Sequence, residues 1–250
     1  RSIQYRITDS IADPAPQADA LHSETLIRIP NGFHCFAPPN ESPKVGPLPA
    51  LSKGHITFGS FNNLAKVTPE VVRVWAQLLN QVDNSKLLIK ASALRDPKVI
   101  RTLTDQFETH SVPKERLQFV NFVLSPEEHL KLYHQIDIGL DPFPYNGTTT
   151  TCEAFWMGVP VISLVGNSHP GRVGMSLLDQ VGLANWGATD KGHYVDIATQ
   201  FSQSTKDLAD LRQALRGRMQ GSQLTQAPLF AQALEGAYAT MVSLERESRE

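Results

Sequence analysis

From His55 onward, short apolar runs alternate with stretches in which apolar residues recur at helical spacing. ITFGS (56–60), KLLIKA (86–91), RLQFV (116–120), DIGLD (137–141) and VPVISL (159–164) predict five buried strands. After the first run, Thr68-Pro69-Glu70 supplies an N-cap, a proline at the first helical position and an early acid. Val71, Val74, Trp75, Leu78 and Leu79 then repeat at helical spacing. Residues 96–109 place Ile100, Leu103 and Phe107 on one helical face, and Val112-Pro113 ends that helix. Ser125-Pro126-Glu127-Glu128 is a capping box that opens a helix carrying His129, Leu130, Leu132 and Tyr133. Further helical patterns cover 171–181, 191–203, 205–219 and 228–246. Strands and helices alternating in this way predict parallel βαβ units with right-handed crossovers, an α/β doubly wound, Rossmann-like sheet.

The first 50 residues differ. They hold 8 of the 17 prolines, and only TLIRIP (25–30) reads as a strand. APPNESPKVGPLPA predicts an extended linker. The expected organisation is therefore an arm over 1–50 and one α/β unit over 51–250.

Composition narrows the options further. The formal charge of −2, from 23 basic and 25 acidic residues, gives no bulk basic surface for nucleic acid. No apolar run reaches the roughly 18 residues of a membrane span. Two cysteines, Cys35 and Cys152, far apart, supply neither a disulfide framework nor a zinc ligand set, and point to a reducing, cytoplasmic setting. The chain begins at Arg1 without a signal-peptide pattern, so a fragment with missing upstream parts is expected.

Candidate chemistry lies in three connections at the carboxyl ends of the strands, where ligands sit in such sheets. The first, 61–68, offers Asn62, Asn63 and Lys66; lysine beside a helix start suits a diphosphate, and a solvated lysine next to a cap is the alternative. The second, 121–129, leads to His129 in a helix's first turn, able to stack on a base or sugar or to hydrogen-bond a phosphate, or simply a surface histidine. The third, within DPFPYNGTTTTCEAFWMGVP (141–160), sets Thr148, Thr149, Thr150 and Thr151 behind an Asn-Gly turn. A threonine row is a poor helix interior but a good helix start, where free amides accept anions. Glu153, about a turn inside, is placed to accept hydrogen bonds from a ribose diol; the alternative is a capped buried helix with an acidic first turn. GxxxxGK[ST] and GxGxxG are both absent, no carboxylate pair suggests a metal, and Asp137 and Asp141 read as strand ends.

FGSFNNLAKVTPEVVRVWAQLL, SPEEH and LDPFPYNGTTTTCEAFWMGVPVISL together resemble the SPINDLY / O-GlcNAc transferase family of protein O-glycosyltransferases. FNNLAK and YNGTTTTCE resemble the SPINDLY branch; the animal O-GlcNAc transferases carry Gln, His and Asp where this chain has Asn63, Thr148 and Glu153. The resemblance covers residues 55 to about 246 as the second, nucleotide-binding lobe of a GT-B enzyme, with 5–10 and 22–30 resembling the end of the first lobe. It implies that Lys66 is catalytic, neutralising the departing diphosphate, and that Thr149 and Thr150 hold the phosphates beside Thr148. It further implies that Glu153 binds the ribose, His129 lies by the nucleotide, Leu124 meets the base through its backbone, and Asn63 orients the diphosphate or sugar. The implied reaction is inverting transfer of GlcNAc from UDP-GlcNAc to Ser/Thr hydroxyls, with no metal or other cofactor. GDP-fucose as donor, a small-molecule transferase or epimerase, and a non-catalytic nucleotide-sugar module remain alternatives. Acceptor contacts, any general base and tetratricopeptide repeats would lie upstream, leaving this piece inactive alone.

Overall fold

The structure, a computed structural model, describes residues 3–247 apart from 122 and 124. Six parallel strands form the central sheet: β3 (Thr57–Ser60), β4 (Lys86–Lys90), β5 (Leu117–Val120), β6 (Ile138–Leu140), β7 (Val161–Leu164) and β8 (Gly187–Ala188). Their spatial order is β5-β4-β3-β6-β7-β8. The chain moves outward from β3 to β5, returns to pair β6 with β3, and then moves outward the other way. The order therefore reverses between β3 and β6, and the crevice beyond their carboxyl ends is where an open α/β sheet binds its ligand.

The five expected strands are all present, and β8 is additional; two residues are too few to carry a periodic signal. The helices are α1 (Ala50–Lys53), α2 (Pro69–Gln81), α3 (Pro97–Glu108), α4 (Pro126–Lys131), α5 (Thr149–Trp156), α6 (Val173–Gln180), α7 (Lys191–Gln203), α8 (Thr205–Gln220) and α9 (Ala227–Glu247). In α2 the expected apolar stripe, including Trp75, is fully buried. The Trp75 indole donates to the Tyr194 hydroxyl (3.3 Å), which donates to the Asp141 carbonyl (3.1 Å), so α2 and α7 are tied to the end of β6. No helix among the described residues is long and apolar enough to cross a membrane.

The first 50 residues are more structured than an extended arm. β1 (Tyr5–Thr8) pairs in parallel with β2 (Thr25–Arg28), with Tyr5 opposite Thr25 and Thr8 opposite Arg28. Four residues, three half-buried and one buried, with polar flanks carry no alternation to read. The proline-rich stretch after β2 forms no strand, yet its carbonyls are used. Arg212 and Gln213 donate to Gly46 O, Arg216 to Pro43 O, and His134 to Lys44 O. Proline removes N–H donors from a chain but leaves every carbonyl free to accept.

A second, smaller core joins Ile27, Ile29 and Ala237, with Tyr5, Ile7, Phe230, Ala233, Met241 and Leu244 packed around them. Its α9 members recur at helical spacing, so the last helix presents its apolar face to β2.

Candidate functional site

Two buried aspartates shape the crevice. Asp137, before β6, accepts from Ala50 N and Thr57 N (both 2.8 Å), which fastens α1 and β3 to the sheet. Asp141, after β6, accepts from Gly147 N (2.6 Å) and from the Ser163 hydroxyl (2.6 Å). Burial raises the Asp141 carboxyl to about 7, against the opposing pull of Ser163, the Gly147 amide and Lys66. Reading these residues as strand ends missed that both organise the loops; an Asp at each end of an apolar strand was the available signal.

Asn146 is the junction of the crevice. Its N–H donates to Pro170 O (2.9 Å) and its amide nitrogen to Pro142 O (3.2 Å). Its side-chain oxygen accepts from Gly174 N (3.2 Å) in the first turn of α6, and its carbonyl accepts from Lys66 Nζ (2.7 Å). Lys66 is thereby aimed at the turn that opens α5, with its ammonium also 4.2 Å from the centre of the Tyr145 ring. Burial lowers the Lys66 pKa while Asp141 pulls it back up. With one of three ammonium protons on Asn146 O, further donors remain for an anion.

The start of α5, like those of α1, α6 and α8, carries no side-chain cap. Thr68, Asp96, Ser125 and Asp190 cap α2, α3, α4 and α7 through their side chains. Thr148, ahead of α5, makes no such bond, and the first intrahelical bond runs from Cys152 N to Thr148 O. The amides of Thr149 to Thr151 precede that bond, at the positive end of the helix. Thr149 is exposed and Thr148 half-buried, while the Thr150 hydroxyl donates to Asn62 Oδ1 (3.0 Å). Gly147 is required here, because a Cβ at this position would stand 2.6 Å from Thr150 Oγ1 and 2.8 Å from Asn62 Oδ1.

Glu153 lies one turn further in. Its Oε2 meets His129 Nε2 at 2.9 Å and the Tyr133 hydroxyl at 3.3 Å, and Tyr133 also donates to Thr150 O (3.1 Å). A carboxylate only accepts, so the His129 proton sits on Nε2. Burial, then the Glu153 charge, raises the Tyr133 phenol well above its ordinary value. Burial lowers the pKa of Lys90, at the end of β4, and the Glu153 charge raises it, so a cation lies near this carboxylate. Phe61 closes the group, its ring 4.5 Å from that of Tyr133 and 5.9 Å from that of His129.

Lys66, His129, Thr148, Thr149, Thr150 and Glu153 thus come from three loops to one crevice. Asn63 is exposed, and its side-chain oxygen accepts from Ala65 N (3.0 Å), capping the short turn that carries Lys66; its neighbour Asn62 is the one that reaches α5. Leu124 lies outside the described residues. Tyr133 was missed, although a position four residues after His129 shares its helical face.

A parallel sheet with its order reversed beside a lysine, an open helix start and a held carboxylate is the GT-B glycosyltransferase fold. The chain belongs to glycosyl transferase family 41, whose profile matches residues 48–234. A probable UDP-N-acetylglucosamine–peptide N-acetylglucosaminyltransferase SPINDLY from Solanum lycopersicum is 42% identical over 240 residues, 96% of this chain and 26% of that protein. The corresponding protein of Eustoma exaltatum subsp. russellianum is 44% identical over the same shares. A Thermobaculum terrenum O-GlcNAc transferase mutant superposes with a TM-score of 0.89 at 34% identity, covering 95% of this chain and 45% of that one. A sucrose-phosphate synthase from Thermosynechococcus elongatus, at 15% identity and a TM-score of 0.61, shares the fold alone. The chain spans about a quarter of the length of the SPINDLY relatives it matches.

Proposed function

We propose that this chain is the donor-binding half of a protein O-glycosyltransferase that moves GlcNAc from UDP-GlcNAc to Ser/Thr hydroxyls with inversion. The observation that carries the reading is the uncapped start of α5 facing the Lys66 side of the crevice, with Glu153 one turn inside. In this reading the diphosphate lies against the Thr149 and Thr150 amides and accepts hydrogen bonds from the Lys66 ammonium, and Glu153 accepts hydrogen bonds from the ribose hydroxyls. Attack of the acceptor oxygen on the anomeric carbon pushes an electron pair onto the departing diphosphate. Donors already in place at that oxygen stabilise the transition state more than the ground state. Lys66 and the helix start carry the charge that a divalent cation carries in other transferases, so the reading is a metal-independent one.

Calorimetric titration with UDP, GDP and their sugars is the test. Binding of UDP-GlcNAc in preference to GDP-fucose is expected, unchanged by a chelator; no binding by any of them sinks the proposal. Preference for GDP-fucose would keep the site and replace the donor.

A further inference from the structure

Beside the crevice lies a cavity of about 380 Å³ that the donor reading leaves unused. It is lined by Asp13, Gln17, Leu21, Ser168, His169 and Arg172, so one wall comes from the segment after β1 and the other from the loop after β7. That loop runs from the carboxyl edge of the sheet, as the donor loops do. It touches them directly, through Asn146 N on Pro170 O, one residue from His169.

His169 is held as a base is held. Its Nδ1 meets the buried Asp13 carboxylate at 2.7 Å, and the Thr8 hydroxyl donates to the same oxygen at 2.5 Å. Asp13 accepts and His169 Nδ1 donates, which leaves the Nε2 lone pair without a partner among the described residues. Burial alone would raise the Asp13 carboxyl, but hydrogen bonds from Thr8 and His169 and the nearby His169 and His22 charges bring it below its ordinary value, so it stays ionised. Asp13 is fixed in turn, since Arg172 donates to Ile11 O (2.7 Å) and Arg28 to Asp13 O (2.7 Å). Asp9, two hydrogen bonds from Ile11 N and Ala12 N, anchors the same turn. An orienting carboxylate, an imidazole and a free ring nitrogen facing a cavity make the arrangement that activates a hydroxyl.

We propose that this cavity receives the hydroxyl-bearing side chain of the acceptor and that His169 Nε2 is its general base, with Asp13 as the positioning residue. The inference rests on the donor reading above. In the step, Nε2 takes the hydroxyl proton while the oxygen forms its bond to the anomeric carbon. The bond from that carbon to the diphosphate breaks with its electron pair leaving on the diphosphate, and the imidazolium later gives its proton to solvent. The groups facing His169 are Asp13 and Arg172 at its own level, with Asp9, His22 and His34 on the packed N-terminal segment; His34 is disfavoured as a cation by burial first and by His169. The base is therefore shared across the seam, its imidazole from the α/β unit and its orienting carboxylate from the N-terminal segment.

His169→Asn in the full-length protein is the decisive variant, because the Asn amide nitrogen keeps the bond to Asp13 and removes Nε2. The expected result is a fall in kcat of about 10²-fold or more, with the affinity for UDP and the melting temperature unchanged and the acid limb of the pH–rate profile lost. A kcat within about threefold of the wild type overturns the proposal, as does a loss matched by an equal loss of UDP affinity. If the variant does not fold, the wild-type profile decides: kcat flat between about pH 5 and 8 overturns it, and a single-proton fall toward acid supports it. Wild-type protein that binds no nucleotide diphosphate at all removes the donor reading and this inference with it, a result distinct from each of the others.

Discussion

A single ammonium and a single carboxyl set the chemistry of the crevice. Lys66 reaches the turn before α5 through one hydrogen bond and keeps donors free. Lys66→Ala is expected to lower kcat by about 10²–10³-fold in a steady-state transfer assay, with a smaller loss of UDP affinity, because its charge matters most as the diphosphate departs. Asp141 gives a pH signature. Its folded value of about 7 lies above the ordinary 3.8, so the folded state holds a proton that the unfolded chain has released. Stability from this group is therefore greatest below the ordinary value and declines as pH rises toward about 7, levelling off beyond. Asp141→Asn keeps an acceptor for the Gly147 amide and removes the titration. The melting temperature of the variant should gain on the wild type between pH 4 and pH 7 and run parallel above; a constant difference throughout would refute the assignment. Legibility at this scale followed chemistry that is local. Lys66, His129 and Glu153 stand out because the connections at the carboxyl ends of the strands, where ligands sit in such sheets, lead to all three. Asn62 and Asn63 were indistinguishable as letters, and only the fold shows that the buried one meets Thr150 while the exposed one caps a turn.

At the level of elements, the helices were read from their caps and apolar stripes. The 191–203 pattern coincides with α7, and 228–246 lies one residue inside α9 at each end. Three short elements, β1, β8 and α1, went unread: β1 and β8 offer no period to detect and α1 is a single turn. The start of α5 shows how composition and geometry combine: four threonines mark a helix start, but nothing in the letters says that none of them caps it. Gly147 sets that geometry. Gly147→Ala forces its Cβ against Thr150 and Asn62 and should tilt the first amides away from a bound phosphate. A weakening of UDP binding by about tenfold, equivalent to about 1.4 kcal/mol, is expected by calorimetry, with far-ultraviolet circular dichroism unchanged. An unaltered affinity would show that the amides do not face the ligand.

The whole molecule is stitched by one buried arginine as well as by its sheet. Arg212 on α8 donates to Gly46 O, Ile136 O and Tyr133 O, at 3.0, 2.9 and 3.0 Å, with Asp137 as its nearby anion. Burial lowers the guanidinium to about 10, opposed by Asp137. It joins the last third of the chain to the strand-six entry and to the proline-rich stretch. Arg212→Met leaves the Ile136 and Tyr133 carbonyls without a donor and removes the cation beside the buried Asp137, and about 3–5 kcal/mol of unfolding free energy should be lost in a denaturant titration. A loss below about 1 kcal/mol would mean that water replaces the guanidinium. Such long-range ties were invisible in the sequence, where Arg212 is one of several cations on an amphipathic helix. The same holds for α9, which belongs to the small core with β2, some 200 residues away; no local pattern records a partner so distant.

Asn146 spends all of its polar groups on four different parts of the chain: Lys66, Pro142, Pro170 and Gly174. A loop pinned in this way has little motion left to surrender when a ligand arrives. Nucleotide binding should accordingly be driven by enthalpy with a small entropic penalty, and the empty and occupied crevices should have the same backbone shape. Selectivity then falls to the size and charge of what enters, because the walls do not adjust to meet it.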